Sequence, residues 1–515
     1  MTDHTVLIAG GGPTGLMLAG ELALAGVDVA ILERRTNQEL VGWRALGFHA
    51  RTIEVFDQRG IAERFIKEAL VTQTTSFAGA IRDIGDFPTR HNYGLGLAQK
   101  HIERILAGWV DELGVPTLRG IEVTGFAQDE AGVSVELSDG TSPRAEYLVG
   151  CDGGRSVIRK AAGIEFQGWD ATGSSLIAEA EFDEEPEWGM RRDTHGIAGF
   201  SKPDANGGIR AQAAEEGAGP TGEPTLEDLS KAIIRFYGTD FGLRSAAWIT
   251  RFNDVTRQAA AYRDRRVLLA GDAAHIHSPM GGQGLGVGVQ DAVNLGWKLA
   301  QVVKGTSPDT LLDTYHAERH PVAARVLRNT MAQVALSRVN ERTDALREIV
   351  ADLLQMEEPR KHVAGMISGL DIHYDFGAPA DVAADGVEVI EAVDSEAHPL
   401  VGRRMPDLDL MMPDGPLRVF TLLHTARPVL LNLGAPGTRE RALSPWADRV
   451  QLVDATYDGP WELPVLGDVP APAAVLIRPD GHVAWVGRAN GINADLAADA
   501  GFSNALTKWF GPATS

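Results

Sequence analysis

Cysteine is almost absent from this sequence of 515 residues, in which Cys151 is the single example. One thiol excludes an intramolecular disulfide, and it also excludes a cluster of cysteines that could hold a metal ion. Because proteins without disulfides are typical of reducing compartments, the sequence predicts a cytoplasmic protein. The length is sufficient for about two or three domains, each with a core of its own.

Long apolar runs, a basic leader and an excess of basic residues are missing as well. No apolar run reaches about eighteen residues, so we expect no transmembrane helix. The N-terminus has no basic segment followed by an apolar one, and a signal peptide is therefore not predicted. Lys and Arg number 48 against 70 Asp and Glu, a net charge of −22. Since this charge repels polyanions, neither nucleic acid nor membrane is expected as a partner.

The sequence does contain a strand–turn–helix–strand pattern within residues 1–33. A short β-branched apolar run from Thr5 predicts a buried parallel strand, and a segment with helical periodicity opens at Gly15. A second apolar run over residues 27–32 ends at the acidic Glu33. These features in this order are typical of a βαβ unit that binds a dinucleotide.

The turn between strand and helix has glycines at the three positions that such a unit requires. Gly10 permits the tight turn, Gly12 lets the backbone approach a pyrophosphate, and Gly15 allows the helix to pack closely on the strand. The N-terminus of the helix offers free N–H groups to the phosphates. Glu33 is suited to ribose hydroxyls and repels a 2′-phosphate, so this site is predicted to hold FAD or NAD and not NADP.

Three later segments carry groups that suit the same extended cofactor. A strand from Arg266 ends at Asp272, which is suited either to cofactor hydroxyls or to capping the helix that follows. Residues 279–288 hold five glycines before a helix predicted over 289–302, and such a backbone nest favours negative charge. A third turn, residues 152–156, places Arg155 at the head of a helix, where it suits phosphate binding or a structural ion pair.

Composition and periodicity divide the chain into candidate domains. Residues 1–165 and 266–376 are assigned to one α/β domain, and about 70–98 are expected to add strands to the sheet of a middle domain, 166–265. Within the middle domain, a helix is predicted near 225–237, and the Gly-, Ala- and Pro-rich stretch 199–222 is predicted to be a mobile loop. Residues 377–398 are interpreted as a linker and 399–515 as a compact C-terminal α/β domain.

Together these motifs resemble the class A flavoprotein monooxygenases, the para-hydroxybenzoate hydroxylase group, and more closely the aromatic polyketide hydroxylases of bacterial antibiotic pathways. The resemblance covers the whole chain and is carried by residues 51–60, 147–155, 271–277, 290–298 and 314–319. It implies a mixed α/β and α+β fold, in which a Rossmann-like FAD-binding domain is interleaved with a β-sheet substrate domain. The C-terminal domain is similar to thioredoxin but has no cysteine, which leaves a docking or homodimer role.

The resemblance also implies the cofactors and the residues that contact them. FAD would be tightly held, and NADPH would bind transiently near Arg155 without a second dinucleotide motif. The residues implied to contact FAD are Gly10, Gly12, Pro13, Thr14, Gly15, Glu33, Arg34, Arg44, Gln99, Val123, Asp152, Asp272, Gly282, Gly284, Leu285 and Gly286.

The reaction implied by the resemblance is hydroxylation of a bulky, polyketide-like small molecule. NADPH reduces the flavin, O2 adds at C4a, and the flavin hydroperoxide hydroxylates an electron-rich phenol while the protein positions and desolvates the substrate. Pro279 is implied beside the flavin face. His275 and His277 are candidates for orienting water or substrate, with a purely structural role as the alternative. A Baeyer–Villiger oxidation would use the same fold.

Two positions depart from the family pattern. Trp43 stands where the family usually has Ser, and Gly286 stands where it usually has Asn. An indole beside the flavin could hold the ring in one place and slow its reduction by NADPH. These departures keep open a non-redox cyclase or isomerase in which FAD is structural, and a scaffold that binds the cofactor without catalysis.

Overall fold

The computed structural model describes residues 2–40, 42, 45–202, 208–220, 222–376, 398–487 and 500–514. Trp43 and Arg44 lie outside the described residues, as do residues 377–397 of the predicted linker. In the described part of the chain, no helix is both long enough and apolar enough to cross a bilayer.

Helices occur mainly in the N-terminal three quarters of the chain. Their bounds are α1 (Pro13–Leu24), α2 (Ala50–Asp57), α3 (Ala62–Ile66), α4 (Gln99–Glu112), α5 (Val157–Ala161), α6 (Leu226–Tyr237), α7 (Gly284–Val303), α8 (Asp313–Ser337), α9 (Glu341–Leu353), α10 (Glu357–Ser368), α11 (Glu440–Leu443) and α12 (Ala500–Phe510). Short 3-10 helices span Gly271–Ala273, Asp309–Leu312, Val419–Leu423 and Ser444–Trp446.

Strands are distributed along the whole described chain. Those before residue 170 are β1 (His4–Ala9), β2 (Val29–Glu33), β3 (Gly47–Phe48), β4 (Leu70–Thr72), β5 (Thr74–Phe77), β6 (Ala80–Asp83), β7 (Gly94–Gly96), β8 (Thr117–Arg119), β9 (Val123–Gln128), β10 (Val133–Leu137), β11 (Arg144–Gly150) and β12 (Phe166–Trp169). Those from 174 to 276 are β13 (Ser174–Phe182), β14 (Gly189–Asp193), β15 (Gly196–Ser201), β16 (Ile209–Ala214), β17 (Leu243–Asn253), β18 (Thr256–Ala259), β19 (Arg263–Asp264), β20 (Val267–Leu269) and β21 (His275–Ile276). The C-terminal strands are β22 (Asp409–Met412), β23 (Gly415–Arg418), β24 (Val429–Asn432), β25 (Gln451–Asp454), β26 (Glu462–Leu463), β27 (Gly467–Asp468), β28 (Ala474–Ile477) and β29 (Val483–Gly487).

The predicted βαβ unit lies at the centre of the main sheet, which has the order β19-β20-β11-β1-β2-β8. Strands β20, β11, β1, β2 and β8 are parallel. Because β1, β11 and β20 end at the same edge, the turns that follow them are brought together there. This arrangement places the three motifs at 10–15, 151–156 and 271–272 side by side, although up to about 260 residues separate them in sequence.

Helix α1 packs between the sheet and α7, and its apolar sequence explains its nearly complete burial. Leu16, Met17 and Leu18 are fully buried, as expected for a helix that is hydrophobic all round. A Cβ atom on Gly20 would lie 2.2 Å from the Trp109 ring, so this glycine is required for α4 to approach α1.

The prediction of a loop over 199–222 was wrong for residues 199–201 and 209–214, which form strands. Strand β16 is a regular member of the five-stranded sheet, whose order is β14-β15-β16-β13-β17. Its alanines Ala211 and Ala213 are fully buried beneath helix α6, which contributes Leu229 and Ile233 to the same core. The small residues therefore reflect close packing of a helix on a sheet and not loop composition. The helix predicted near 225–237 is α6, with a capping box between Thr225 and Asp228.

The strands predicted within 70–98 are present but pair locally. β7 lies between β3 and β4, and β5 pairs with β6. Among the described residues, none of these strands is hydrogen-bonded to the five-stranded sheet.

The C-terminal segment contains a second, smaller α/β sheet with the order β25-β24-β28-β29. β24 is parallel to β25 and antiparallel to β28, and the hairpin β28–β29 precedes α12. This succession agrees with the predicted thioredoxin-like fold. Trp297 of α7 packs against Trp509 of α12, so the two sheets share an apolar interface.

Candidate functional site

Two uncapped helix N-termini define the candidate site at the carboxyl edge of the main sheet. Gly12 precedes α1 without a side-chain cap, and a Cβ atom on it would meet nothing within 4 Å. Gln283 precedes α7 and donates its amide to the carbonyls of Met366 and Ile367, leaving the first turn of α7 without a side-chain cap. Free N–H groups and open space at a helix N-terminus favour an anionic ligand.

The glycines of the first turn are needed because backbone segments meet there. Gly10 has a φ of +108°, and a Cβ on it would lie 2.4 Å from the carbonyl oxygen of Cys151. A Cβ on Gly15 would lie 2.0 Å from the carbonyl oxygen of Gly10. Thr14 is enclosed by the glycines of two other motifs, since its Oγ1 would lie 2.5 Å from a Cβ on Gly271 and 2.4 Å from one on Gly288.

Glu33 lies at the end of β2 and faces the glycine turn, as predicted. Its carboxylate accepts hydrogen bonds from the backbone N–H of Gly11 at 2.7 Å and of Arg35 at 2.8 Å. Burial by itself raises the pKa of Glu33, but the hydrogen bonds and charge of Arg35 outweigh it and hold the pKa below its ordinary value. Glu33 is therefore an anion suited to accept hydrogen bonds from ligand hydroxyls.

Sequence reasoning missed Arg35 and its partner Glu103. The Arg35 guanidinium donates to the Gly11 carbonyl at 3.1 Å and to Glu103 at 2.8 Å. The predicted Gln99 joins the same network, since its Nε2 donates to Glu103 at 2.8 Å. Arg34 is exposed, at 4.0 Å from Glu122. The dipeptide Arg34-Arg35 after an acid was the available signal, but only the fold shows which arginine turns inward.

Asp272 lies in the short 3-10 helix that follows β20, and its side chain is exposed. The turn is held from behind by Asp291 of α7, which accepts the Gly271 N–H at 3.1 Å. Asp291 also accepts from Arg319 at 2.7 Å and lies 2.6 Å from His275. Burial raises the pKa of Asp291, but Arg319 and His275 reverse that effect and hold the pKa below its ordinary value.

The predicted His275 is therefore part of a buried polar cluster and does not face open space. It is 1% exposed, and its Nε2 is engaged by Asp291. Sequence reasoning missed both Asp291 and Arg319, although each lies within a stretch that carried the family resemblance. The apolar helix around Asp291 and the charged segment around Arg319 gave no local sign that these two groups are buried together.

The prediction that α7 begins at Val289 was wrong, because the helix begins at Gly284. Gly284, Leu285 and Gly286 form its first turn, and their backbone N–H groups point out of the helix end. Gly286 has a packing explanation, since a Cβ there would lie 2.6 Å from Oγ1 of Thr52. The close approach of α2 to α7 therefore explains why this chain has Gly286 where the family usually has Asn.

His277 lies in the loop before α7 with one ring nitrogen lacking a partner. Its Nδ1 is 2.7 Å from the Ser278 carbonyl, so Nδ1 carries the proton and Nε2 is an acceptor. Nε2 is buried and has no hydrogen-bond partner among the described residues. Burial lowers the pKa of His277 to about 4, so the ring is neutral near pH 7.

The predicted Pro279 and Gly282 lie in the same loop. Pro279 is exposed, and Gly282 follows Gly281, whose carbonyl is 2.7 Å from Nε2 of His49.

The turn after β11 has a structural aspartate and an exposed arginine. Asp152 accepts the N–H groups of Val157 and Ile158 at 2.7 and 3.2 Å, while its other oxygen is buried without a partner among the described residues. Arg155 is exposed. Arg159, which sequence reasoning missed, is buried and donates to the Ala273 carbonyl at 2.7 Å, tying this turn to the turn of Asp272. Val123 begins β9 and is buried.

Comparison with known proteins gives consistent relatives over the whole chain. Residues 3–330 match a family described as FAD binding domain, and residues 398–513 one described as aromatic-ring hydroxylase, C-terminal. A 12-dehydrotetracycline 5-monooxygenase/anhydrotetracycline 6-monooxygenase of Streptomyces rimosus is 42% identical, over 99% of each chain.

Solved structures with the same architecture include a hydroxylase and a cyclising enzyme. OxyS anhydrotetracycline hydroxylase from Streptomyces rimosus is 41% identical with a TM-score of 0.85, over 99% of this chain and 100% of that one. Diels-Alderase PyrE3, from the biosynthetic pathway of pyrroindomycins, is 34% identical with a TM-score of 0.81, over 99% of this chain and 100% of that one.

Proposed function

The chain belongs to the FAD-dependent aromatic-ring monooxygenases, and from this premise we propose that it uses NADPH and O2 to hydroxylate a bulky, polyketide-like small molecule. The observation that carries the proposal is the convergence of two uncapped helix N-termini with the Glu33 carboxylate at one sheet edge. An extended dinucleotide suits these groups, because its phosphates are attracted to helix N-termini and its ribose hydroxyls can donate to the Glu33 carboxylate.

The residues present fit FAD. The space beyond Gly12 accommodates a pyrophosphate, and Glu33 is an ionised acceptor for ribose hydroxyls. The buried, unpartnered Nε2 of His277 and oxygen of Asp152 are acceptors that a bound ligand can satisfy. When bound, FAD supplies hydride acceptance from NADPH and activation of O2 for transfer of one oxygen atom.

The proposed roles follow the geometry of each group. The first-turn N–H groups of Gly284 and Leu285 stabilise negative charge on the pyrimidine edge of the ring. His277 accepts a hydrogen bond through Nε2, and His275 acts through Asp291 as a positioning residue for the turn of Asp272. The other proposed contacts are Gly10, Pro13, Thr14, Gly15, Arg34, Arg44, Gln99, Val123, Asp152, Gly282 and Gly286 for FAD, Pro279 beside its ring and Arg155 for NADPH.

We further propose that residues 1–165 with 266–376, 166–265 and 399–515 act as the FAD-binding, substrate-binding and C-terminal domains, with a linker over 377–398. The five-stranded sheet β14-β15-β16-β13-β17 and the C-terminal sheet β25-β24-β28-β29 support this division, while the sheet β12-β18-β21 joins the first two domains. A cytoplasmic homodimer is proposed on the sequence alone, and size-exclusion chromatography with light scattering tests the oligomeric state.

A non-redox cyclase with structural FAD is the second candidate, favoured by the similarity to Diels-Alderase PyrE3. Gly286 no longer supports it, because that glycine is explained by contact with Thr52. Trp43 remains its sequence-based argument.

Anaerobic stopped-flow absorbance with NADPH separates the two functions. For the monooxygenase we expect anhydrotetracycline, used as a probe, to accelerate bleaching of the flavin, and ¹⁸O2 to label the product by one atom. Consumption of a substrate without O2, while dithionite but not NADPH reduces the flavin, would establish the cyclase. The Trp43→Ser variant should then gain NADPH reactivity if the indole restrains the ring.

A further inference from the structure

A cleft beside α2 separates two parts of the chain. One wall comes from α2 and residues 88–90, and the other comes from the C-terminal segment. The charged residues that line the cleft are Arg51, Glu54, Arg90, Arg404, Asp407 and Glu462. The cleft has a volume of about 190 Å³, enough for a small organic molecule.

Arg404 lies in this cleft as a buried cation without a salt bridge. The residue is 5% exposed, and its Nη1 donates to Oε1 of Gln58 at 2.5 Å. Its Nε has no hydrogen-bond partner among the described residues, and Glu54 and Asp480 act on its charge without forming a salt bridge within 4 Å. Burial, reinforced by the positive charge of Arg51, lowers the pKa of Arg404 to about 9, so the group remains charged near pH 7.

The other cations of the cleft already have partners. Arg51 is paired with Glu54 and also donates to the Gly369 carbonyl at 3.0 Å. Arg90 lies 2.8 Å from Asp407 and 2.5 Å from Asp409. Arg404 is therefore the cleft arginine that has no salt bridge of its own among the described residues, since Glu54 is already paired with Arg51. A buried charge without such a partner is destabilising.

We propose that this cleft binds a small organic monocarboxylate, whose carboxylate pairs with Arg404. A single negative charge matches the one cleft arginine without a salt bridge, whereas Glu54, Asp407 and Glu462 on the same walls repel a phosphate dianion more strongly than a monoanion. Tyr457, Met405 and several prolines of the lining provide apolar surface for the organic part of the ligand. None of the residues that line the cleft is among the proposed cofactor contacts, and binding there does not depend on the proposed reaction.

Because both parts of the chain line the cleft, occupancy is expected to stabilise their contact. A ligand that binds only the folded state raises the unfolding temperature in proportion to the logarithm of its concentration above the Kd. The probe is sodium butyrate, which is aliphatic and therefore a poor mimic of an aromatic substrate.

The experiment is a thermal unfolding titration of the FAD-loaded protein with butyrate, phosphate and chloride at equal ionic strength. We expect Tm to rise with butyrate alone, with the logarithm of its concentration, and we expect this increase to be lost in Arg404→Gln. Glu462→Gln removes an exposed repelling charge and should tighten butyrate binding about threefold or more. Arg427→Gln, an exposed change elsewhere in the C-terminal segment, should bind like the parent protein.

Isothermal titration calorimetry of the Glu462→Gln variant keeps the proposal testable if Arg404→Gln does not fold. Equal stabilisation by chloride would overturn the site in favour of a general salt effect. Stronger binding of phosphate would overturn the assignment of a monocarboxylate. Absence of both a Tm shift and a binding heat with butyrate would overturn the proposal as a whole.

Discussion

The carboxylate of Asp291 and the imidazole of His275 are joined inside the protein, with Oδ2 and Nε2 2.6 Å apart. The same carboxylate also receives the Gly271 N–H and the guanidinium of Arg319. Asp291, a buried acid of α7, thus holds the turn that presents Asp272. Its role at the candidate site is therefore to position that turn.

We expect Asp291→Asn to lower the free energy of unfolding by about 3–5 kcal/mol, because the buried Arg319 loses its counter-ion. FAD retention should fall in parallel, since the Gly271 turn loses an anchor. Urea unfolding and the FAD-to-protein absorbance ratio measure both effects. Asp313→Asn, an exposed partner of Arg263, is the control and should change little. Full stability and full flavin content in Asp291→Asn would contradict the positional role.

Glu33→Gln should weaken FAD binding by about 2–3 kcal/mol, or roughly 30- to 150-fold, because hydrogen bonds to a charged acceptor are strong. Fluorescence titration of the apoprotein with FAD gives the Kd. Glu122→Gln removes a nearby but exposed acid and is the matched control. Equal affinities for the two variants would exclude Glu33 from the cofactor site.

The flavin is expected to be held noncovalently in a yellow protein. His275 is not free to form a flavin bond without giving up its buried contact with Asp291. In His277 the Ser278 carbonyl engages Nδ1, and Nε2 is proposed to accept a hydrogen bond and not to form a covalent bond. Acid precipitation should therefore release FAD into the supernatant. Flavin that remains with the pellet would disprove this expectation.

Acid should destabilise the fold through buried neutral histidines. Burial lowers the pKa to about 4 in His277 and His320 and to about 3 in His482, against an ordinary value near 6.5. Above pH 6.5 neither state binds these protons, whereas below it the unfolded chain binds them first. The free energy of unfolding should therefore fall as pH decreases from 6.5 to about 4, by about 1.4 kcal/mol per pH unit for each group.

Urea unfolding between pH 7.5 and 4.5 measures this dependence. His482→Phe keeps a ring stacked on Tyr374, whose centroid is 4.2 Å away, and should show a shallower decline. His362→Phe, which replaces an exposed histidine of α10, should retain the full slope. The same slope in His482→Phe would show that this histidine does not contribute.

Arg478→Met should cost about 3–5 kcal/mol of unfolding free energy, because it leaves two buried acids without their arginine. Arg478 joins Asp480 of the C-terminal segment to Glu318 of α8, with Nη2 2.7 Å from Oε2 of Glu318. Tryptophan fluorescence follows the unfolding, since Trp297 and Trp509 lie beside the guanidinium. Arg427→Met, on the surface of the same segment, should unfold like the parent protein. A small effect of Arg478→Met would show that the apolar interface alone holds the two parts together.

Local patterns were enough to predict the central βαβ unit and the thioredoxin-like C-terminal sheet. Strand periodicity, the three glycines of the first turn and the acid at the end of β2 are each encoded within a few residues. They predicted a site for FAD or NAD near Glu33 because the chemistry of a phosphate-binding turn depends on backbone geometry that glycine permits, and the family resemblance then implied FAD.

The predicted element boundaries that were wrong lie where tertiary packing determines the secondary structure. The alanine-rich β16 resembles a loop in sequence because its small residues are needed only once α6 lies above them. Likewise α7 begins five residues earlier than predicted, since its glycines are imposed by contacts with Thr14 and Thr52 and not by a turn.

The sequence by itself determined the βαβ unit, the family and the cofactor class, because each depends on residues close together in the chain. The tertiary structure alone decided which charged groups are buried and paired. Arg35 turns inward while Arg34 stays exposed, and Asp291 meets both His275 and Arg319. Arg404 is enclosed by elements from distant parts of the chain and forms no salt bridge with a carboxylate of the described residues. Burial and pairing arise from contacts between segments hundreds of residues apart, and no local pattern encodes them.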